Sequence, residues 1–481
     1  MTTILSGVTS SRRAFLGGLA AGLGVCAGGC GTFGGGYAQP RRPSANGKIN
    51  LAVIGCGAMG MGNMYGFLAD PRVRVTVACD PVFNSKRGGY DAKTPYGRKV
   101  CKDKVDARYK NKDCRMVADW REVIADPTVD AVLIATTDHW HAFIAVAAMK
   151  AGKHVYCQKP ISIGLSESKI MTEVAKKSGV VFQVGSQQRS ASEFRIACEL
   201  VRNGYLDGCR SCTIGLVYPH NDSRRNGYAR DASRTTPPAD YFDSAEMWNL
   251  WQGPAEHWEN NAYIPGIHGP VSWRWNWRTG TGTISDWGAH HFDILQWALD
   301  TERSGPVAIE NFTCDFQPTD SKVVAPEVFA TPYHFAFDVV YANGFRAHVA
   351  DTSKAAQGLK FHAPKGDLFV TRGKIDLPQH LAKWTEKHDL KGSDAHLYRN
   401  PEGHGHEMDF IDGIFTNKPI ATDCEIGHRS MTIAHLANAC ARLGLKGLRW
   451  DPARECAVGP NAAEIDKALV VKHYNGWKLE A

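Results

Sequence analysis

Short apolar runs alternate with stretches of helical periodicity between residues 49 and 185. The runs that predict buried strands are Ile49–Ile54, Val73–Cys79, Ala131–Ala135, His154–Cys157 and Val180–Gly185. The stretches that predict helices are Met61–Leu68, Trp120–Ala125, His141–Ala151 and Glu167–Lys177. Because apolar strands separated by helices favour parallel pairing, this part of the chain predicts a doubly wound α/β domain. Beyond residue 190 the pattern changes to mixed, mostly antiparallel signals.

The first predicted strand ends in a glycine-rich turn, Gly55-Cys56-Gly57-Ala58-Met59-Gly60, and a helix is predicted after it. In the dinucleotide-binding fingerprint the first glycine makes the turn, the second lets the backbone approach a pyrophosphate and the third allows close helix packing. The helix N-terminus offers free amides to the phosphates. We therefore predict dinucleotide binding by Gly55, Gly57, Ala58, Met59 and Gly60.

The second predicted strand ends at Asp80, whose carboxylate is suited to accept hydrogen bonds from both hydroxyls of a ribose. A carboxylate at this position disfavours a ribose 2′-phosphate, so NAD is favoured over NADP. Ser85, Lys86 and Arg87 follow closely and are the residues that would bind such a phosphate, which keeps NADP as the alternative.

Polar motifs follow two later strands of this domain. Thr136-Thr137-Asp138-His139-Trp140-His141 follows one strand, and Gln158-Lys159-Pro160 follows the next. Because ligands bind outside the carboxyl ends of the strands in such sheets, Thr136, His141, Gln158 and Lys159 are predicted to line the cofactor site. Pro160 predicts a turn after this strand. A cis peptide bond before Pro160 is one possible form of the turn, and it would point the Lys159 side chain into the site.

Composition places the chain among ordinary globular proteins, with 43% hydrophobic and 22% charged residues in a length of 481. The formal net charge of +7 is mild and dispersed, which argues against nucleic acid as a partner. The 14 cysteines are scattered, and a bridge between Cys101 and Cys114 stays open. Cys209-x-x-Cys212 has the spacing of metal ligands but no second pair nearby, so ordinary strand residues are preferred and no metal is predicted.

The first 36 residues contain no acidic residue, and Arg12-Arg13 precedes a short, weakly apolar run rich in glycine and alanine. This arrangement is typical of a twin-arginine export signal and predicts a periplasmic protein. A membrane-spanning helix needs about 20 mostly apolar residues, and glycines interrupt this run too early. Two positions for the end of the signal remain, cleavage after Ala38 and a lipid anchor on Cys30, of which the second is less favoured.

Tryptophans crowd into one stretch of the second part of the chain: Trp248, Trp251, Trp258, Trp273, Trp275, Trp277 and Trp287. Aromatic faces stack on the C–H faces of sugar rings, and polar neighbours such as Arg274 bind hydroxyl groups. We therefore predict a polyol site that includes Trp251 and Arg274. An aromatic core is the alternative, and it accounts for over half of these tryptophans.

A catalytic pattern follows, in which Asp286, His290 and Asp293 share one face of a helix that begins near Asp286. A carboxylate that orients a histidine, which then accepts a proton, is the general-base arrangement that alcohol oxidation requires. Asp286 and His290 are therefore the predicted catalytic pair, and Asp293 is a predicted substrate ligand. Metal ligation by His290, His291 and Asp293 is less favoured, because adjacent histidines diverge on a helix.

Together these motifs resemble the glucose-fructose oxidoreductase and inositol dehydrogenase (Gfo/Idh/MocA) family, in its exported, tryptophan-rich subgroup. The resemblance rests on the glycine turn, the segment 136–141, Gln158-Lys159-Pro160 and Asp286-x-Gly288-x-His290-x-x-Asp293, and it covers about residues 48 to 451. It implies a Rossmann domain followed by an α/β domain whose open, mostly antiparallel sheet often joins the subunits of a homo-oligomer. It also implies that Lys159 lies near the nicotinamide and the reacting hydroxyl, with His290 as the acid or base and Asp286 as its partner or a substrate ligand.

One departure from the family pattern is Gln158, where the family has glutamate. Loss of a carboxylate beside Lys159 removes an opposite charge that would keep its ammonium group protonated.

Two functions compete on this reading. One is an NAD-dependent oxidoreductase acting on a sugar, glycoside or cyclitol hydroxyl, with tightly bound NAD that is restored within each cycle. The other resembles the NAD-dependent glycoside hydrolases of this fold, which oxidise, eliminate, hydrate and reduce. A non-catalytic sugar-binding protein is the third possibility.

The expected organisation has five segments. They are a signal peptide at 1–38, a linker at 39–47, the NAD-binding Rossmann domain at 48–185, the substrate and oligomerisation domain at 186–451 and a tail at 452–481.

Overall fold

Six parallel strands form the first sheet of the molecule. The computed structural model describes residues 37–43, 47–85, 94–217, 244–256, 272–316, 330–385, 389–400 and 404–481. The strands of the first sheet are β1 (Ile49–Ile54), β2 (Val73–Cys79), β3 (Arg115–Val117), β4 (Ala131–Ile134), β5 (His154–Cys157) and β6 (Phe182–Val184). They pair in the order β3-β2-β1-β4-β5-β6, all in parallel. This is the Rossmann order, and the predicted doubly wound sheet is confirmed.

Helices alternate with these strands along the chain. They are α1 (Ala58–Ala69), α2 (Arg98–Tyr109), α3 (Trp120–Ala125), α4 (His141–Lys150) and α5 (Leu165–Ser178). Alternate residues of β1 pack into different hydrophobic clusters, Ala52 and Ile54 into one and Leu51 and Val53 into the other. The sheet is therefore buried on both faces at β1, which explains why this strand is almost continuously apolar.

A second, mixed sheet forms the rest of the architecture. Its strands are β7 (Ser211–Leu216), β8 (Ala308–Asp315), β9 (His334–Val340), β10 (Arg346–Asp351), β11 (Gly358–His362), β12 (Leu368–Thr371), β13 (Lys374–Asp376), β14 (Leu448–Asp451) and β15 (Cys456–Val458). They pair in the order β13-β12-β11-β7-β10-β9-β8-β14-β15. The β7–β10 pair is parallel and the other pairs are antiparallel, which confirms the predicted mostly antiparallel second sheet.

Most helices of this second part pack against each other or against the second sheet, whereas the helix His406–Thr416 packs against α1 of the first domain. They are α6 (Ser192–Arg202), α7 (Ala245–Gln252), α8 (Gly282–Asp286), α9 (Gly288–Leu299), α10 (His406–Thr416), α11 (Cys424–Leu443) and α12 (Ala462–Ala468). The helix α9 contacts both α6 and α11. It is buried from Gly288 to Ala298, so its position is fixed from several sides.

The cysteines in the described residues are all free thiols, and most of them are buried. Burial raises the pKa of Cys79 and Cys157, which keeps these thiols protonated at neutral pH. Cys101 and Cys114 are not bridged, and Cys212 lies in β7 as an ordinary strand residue.

Several sequence predictions fall outside the described residues. They are the leader with Arg12, Arg13 and Cys30, the residues Lys86 and Arg87, and Trp258. None of the helices in the described ranges combines the length and the apolar composition that crossing a bilayer requires.

Candidate active site

A cavity of about 920 Å³ lies at the carboxyl ends of β1, β2, β4 and β5, and parts of the second domain close over it. Its first-domain wall includes the glycine turn, Asp80, Thr136 and Lys159. Its second-domain wall includes Trp251, Arg274, Asp286 and His290. The structure therefore brings the predicted cofactor and catalytic residues to one cavity.

The glycine turn between β1 and α1 fits a dinucleotide. Gly55 has a φ of +94°, and a Cβ there would lie 2.5 Å from the Ala135 backbone. A Cβ on Gly60 would lie 1.9 Å from the Gly55 carbonyl oxygen, whereas a Cβ on Gly57 would meet nothing within 4 Å. The turn thus requires glycine for close packing and leaves the N-terminus of α1, with Ala58 and Met59, open to the cavity for phosphates.

Asp80 is fixed at the end of β2 by two backbone amides. Its Oδ2 accepts a hydrogen bond from Cys56 N at 2.6 Å, and its Oδ1 accepts one from Val82 N at 2.8 Å. Burial raises the pKa of Asp80 to about 6, although these hydrogen bonds and the charge of Arg98 oppose the shift. Each carboxylate oxygen keeps a second lone pair, so the group can still accept from ribose hydroxyls.

The ring of His141 contacts backbone carbonyl groups at the edge of the site. Its Nδ1 lies 2.6 Å from Pro160 O and its Nε2 lies 3.2 Å from Thr136 O. Burial lowers the pKa of His141 to about 4, so the ring is neutral. His141 lines the cavity as predicted, but both ring nitrogens face carbonyl oxygens instead of a cofactor, and the neutral ring can donate to only one of them.

Lys159 and Asp286 form the central ion pair of the cavity. Lys159 Nζ lies 2.7 Å from Asp286 Oδ1 and 2.9 Å from the Asp286 carbonyl oxygen. Arg274 Nε lies 3.4 Å from the same Oδ1. Burial opposes ionisation of Asp286, but the charges of Lys159 and Arg274 outweigh it and lower the pKa to about 2. Asp286 therefore supplies the negative charge beside Lys159 that the replacement of glutamate by Gln158 removes.

His290 lies beside this ion pair as a neutral ring. Burial lowers the pKa of His290 well below its usual value, and the charges of Lys159 and Arg372 add to the shift. Its Nδ1 is buried without a hydrogen-bond partner among the described residues. The predicted orientation of His290 by Asp286 is therefore wrong, because the Asp286 carboxylate is turned toward Lys159.

Asp293 does not reach the cavity. Both of its oxygens bind the buried Arg189, at 2.7 Å from Nε and 2.9 Å from Nη2, and Ser430 Oγ donates to Oδ1 at 2.9 Å. The sequence-based assignment of Asp293 to the substrate does not fit this position. The same ion pair excludes a shared metal ligand set with His290 and His291, and no cluster of three possible metal ligands occurs in the ranges the structure describes.

Gln158 is part of a hydrogen-bond network that connects the first domain to the second. Its Nε2 donates to Asn63 Oδ1 at 2.7 Å, and Asn63 Nδ2 donates to Glu407 Oε1 at 2.5 Å. Gln158, Asn63 and Glu407 all line the cavity. Sequence reasoning missed Asn63 and Glu407, because a helix residue and a distant acid carry no motif that joins them.

An aromatic and cationic surface covers the second-domain side of the cavity. The Arg274 guanidinium lies 4.3 Å from the Trp273 ring centroid, and Arg372 lies 4.8 Å from that of Trp287. Trp251 also lines the cavity, and its ring stacks on Trp248. These rings offer flat apolar faces next to donors, which is the surface that a sugar requires. Sequence reasoning did not find Arg372, which lies in the turn between β12 and β13.

Comparison with protein families places the molecule in a class. The Gfo/Idh/MocA model for an oxidoreductase family with an NAD-binding Rossmann fold matches residues 49–186. The model for the C-terminal alpha/beta domain of this family matches residues 238–473. The chain therefore belongs to the Gfo/Idh/MocA family of oxidoreductases, and its first domain is an NAD-binding domain.

Among characterised proteins the similarity is local. The levoglucosan dehydrogenase of Pseudarthrobacter phenanthrenivorans is 39% identical over 89 residues, which is 18% of this chain and 23% of that protein. The myo-inositol 2-dehydrogenase of Thermotoga maritima is 40% identical over 88 residues, which is 18% of this chain and 26% of that protein. The chain thus matches about a quarter of the length of each of these relatives.

Comparison with solved structures shows that the similarity in fold covers most of the chain. A levoglucosan dehydrogenase in complex with NADH and levoglucosan has a TM-score of 0.57 at 17% identity and covers 84% of this chain and 99% of that chain. The WlbA dehydrogenase from Bordetella pertussis, in complex with NADH and UDP-GlcNAcA, has a TM-score of 0.54 at 15% identity, with 83% and 98% covered. At this identity the match establishes the shared fold.

Proposed function

We propose that the protein is an NAD-dependent oxidoreductase that acts on a hydroxyl group of a sugar, glycoside or cyclitol. The observation that carries the proposal is the placement of the Lys159–Asp286 pair and His290 in the same cavity as the glycine turn and Asp80. The names of the relatives, which include a levoglucosan dehydrogenase and a myo-inositol 2-dehydrogenase, support this substrate class.

The chemistry follows from the protonation states of the side chains. NAD, when bound, supplies the acceptor for a hydride from the carbinol carbon. His290 is neutral at pH 7 and can accept the hydroxyl proton at a ring nitrogen. Lys159 Nζ, oriented by Asp286, donates a hydrogen bond to the same oxygen and stabilises the negative charge that develops on it. The rings of Trp273 and Trp287 hold the sugar against this group.

We further propose that NAD stays bound through each cycle, because the leader predicts export to a compartment without a large nicotinamide pool. A retained cofactor must be restored before the next turnover. A paired oxidation and reduction of two sugars restores it, and so does the glycosidase sequence of oxidation, elimination, hydration and reduction. We favour the oxidoreductase, because the relatives with a named activity include sugar and cyclitol dehydrogenases.

Freshly purified protein is expected to contain about one nicotinamide cofactor per chain and to turn over without added NAD. The cofactor is measured in the supernatant after denaturation.

The protein is then incubated with free sugars and glycosides while nicotinamide absorbance and released aglycone are followed. Oxidation of one sugar at the expense of another supports the proposal, whereas aglycone release without net reduction favours the glycosidase. Activity that consumes added NAD stoichiometrically contradicts retention, and sugar binding without turnover contradicts catalysis.

Replacement of both Arg12 and Arg13 by lysine is expected to leave the protein in the cytoplasm, because the paired guanidinium groups are the recognised feature of a twin-arginine signal. Cell fractionation followed by immunoblotting measures the distribution. The adjacent pair Arg41 and Arg42, replaced by lysine in the same way, is the matched control and should not alter export. Normal export of the first variant would show that the leader is not a twin-arginine signal.

A further inference from the structure

The end of the chain runs beside the first domain without forming a helix or a strand. We name residues Val470–Ala481 the C-terminal strap. It begins after α12 with a hydrogen bond from Val471 N to Ser166 Oγ at 2.9 Å. His473 Nε2 then lies 3.0 Å from the buried carboxylate of Glu167, and the Glu480 carbonyl accepts from Lys150 Nζ at 2.9 Å. The strap is thus attached along α5 and α4.

Trp477 of the strap completes a cluster of three indole rings. Its ring centroid lies 4.9 Å from that of Trp140, edge to face, and 6.1 Å from that of Trp120. The ring centroids of Trp120 and Trp140 lie 5.8 Å apart, and those of Phe143 and Trp477 lie 5.6 Å apart. Contacts of this kind fix the orientation of the rings as well as burying them.

Two of these three indoles belong to the cofactor cavity. Trp120 and Trp140 line it, whereas Trp477 does not. Cys79 of β2 pairs with Val117 of β3, so the residues that follow β3, up to Trp120, adjoin Asp80 at the end of β2. Because an acid at that position binds the adenosine ribose, Trp120 and Trp140 flank the space for the adenine ring.

The strap also holds Trp140 from a second direction. Asn475 Nδ2 donates to the carbonyls of Gly253 and Ala255, at 2.8 and 2.9 Å, and Tyr474 N donates to Pro254 O at 3.0 Å. The indole nitrogen of Trp140 donates to Trp251 O at 2.9 Å. A Cβ on Gly253 would lie only 1.9 Å from the Trp140 ring, so the loop after α7 packs directly against this indole.

We propose that Trp477 is a positioning residue for the adenosine half of NAD. It supports Trp120 and Trp140 from outside the cavity, and it thereby fixes the aromatic wall against which adenine packs. Without this support, Trp120 and Trp140 lose part of their contact with the adenine ring, and the cofactor dissociates faster. This assignment rests on the proposed use of NAD, and it adds a residue that acts through Trp120 and Trp140 without contacting the reacting atoms.

Trp477→Ala is expected to raise the Kd of NAD about tenfold, the order of effect of weakening one aromatic contact with a base. The change should appear mainly in the dissociation rate, measured for NADH as the loss of bound fluorescence on mixing with excess NAD. The KM for sugar and the turnover at saturating NAD should stay within about twofold of wild type. Trp477→Phe, which keeps a ring, should recover most of the affinity.

The matched control is Trp384→Ala. Trp384 is also partly buried, contacts the ring of Tyr205, and does not line the cavity. The Trp384→Ala variant should have a lower melting temperature than the wild type and an unchanged Kd for NAD. An unchanged Kd in Trp477→Ala, or an equal rise in Trp384→Ala, would overturn the assignment. Wild-type protein that binds NAD but oxidises no sugar would contradict the proposed function and leave the role of Trp477 intact.

Discussion

His290→Ala and Lys159→Ala are each expected to lower turnover by about 10²- to 10⁴-fold, the usual effect of removing a positioned proton-transfer group. His290 is neutral and lines the cavity, so its loss removes the proton acceptor. Lys159 is held 2.7 Å from Asp286, so its loss removes the donor to the reacting oxygen. The loss should appear in kcat, measured by single-turnover reduction of the cofactor with saturating sugar.

Binding of NAD provides the first control, because neither side chain belongs to the glycine turn or contacts Asp80. NAD should therefore still bind to both variants, with the smaller change in Kd for His290→Ala because Lys159 also lines the cofactor site. His404→Ala is the matched histidine control, since His404 pairs with Asp412 outside the cavity, and it should leave turnover unchanged. Near-normal turnover of His290→Ala would assign the proton transfer to another group.

Asp293→Ala is expected to lower the free energy of unfolding by about 3 to 5 kcal/mol, because removing one partner of a buried ion pair leaves the other charge uncompensated. Arg189 is buried, and the carboxylate of Glu302, 2.6 Å from its Nη1, replaces only part of the lost interaction. Urea unfolding measures the loss. The double variant Arg189→Met with Asp293→Leu should recover much of it, because no charge stays buried without a partner.

The exposed pair of Lys99 and Asp103 provides a comparison, since Asp103→Ala should cost less than about 1 kcal/mol. If Asp293 bound the substrate instead, Asp293→Asn would raise the KM for sugar and leave the unfolding free energy unchanged. That outcome would restore the sequence-based assignment.

The local pattern predicted the first domain well. The bounds of β1, β2, β5 and α3 are those of the sequence prediction. These elements are specified by residues next to each other in the chain: β1 and β5 are buried along almost their whole length and are mostly apolar, and the Asp119 side chain caps the start of α3. The helix α1 begins at Ala58 instead of Met61, since the glycine turn already supplies its N-cap at Gly57.

The site was less predictable, because its contacts join distant parts of the chain. Asp286 meets Lys159, which lies 127 positions earlier, and Asn63 meets Glu407 at a separation of 344. The predicted continuous helix is also interrupted at Trp287, where His290 N donates to Trp287 O at 3.1 Å with the tighter i−3 spacing. The break separates Asp286 from the helix that carries His290 and Asp293, and Asp293 is turned away from the cavity by its ion pair with Arg189, a contact that local spacing does not reveal.

If the leader exports the protein as proposed, the free thiols make unfolding in an oxidising compartment irreversible. In the folded protein burial keeps groups such as Cys79 and Cys157 protonated and away from oxidants. A chain that opens in an oxidising medium exposes many thiols with no native pairing to guide them, and scrambled crosslinks then prevent refolding. In such a medium the lifetime of the folded protein would depend on its unfolding rate, so the height of the unfolding barrier would matter more than the equilibrium stability.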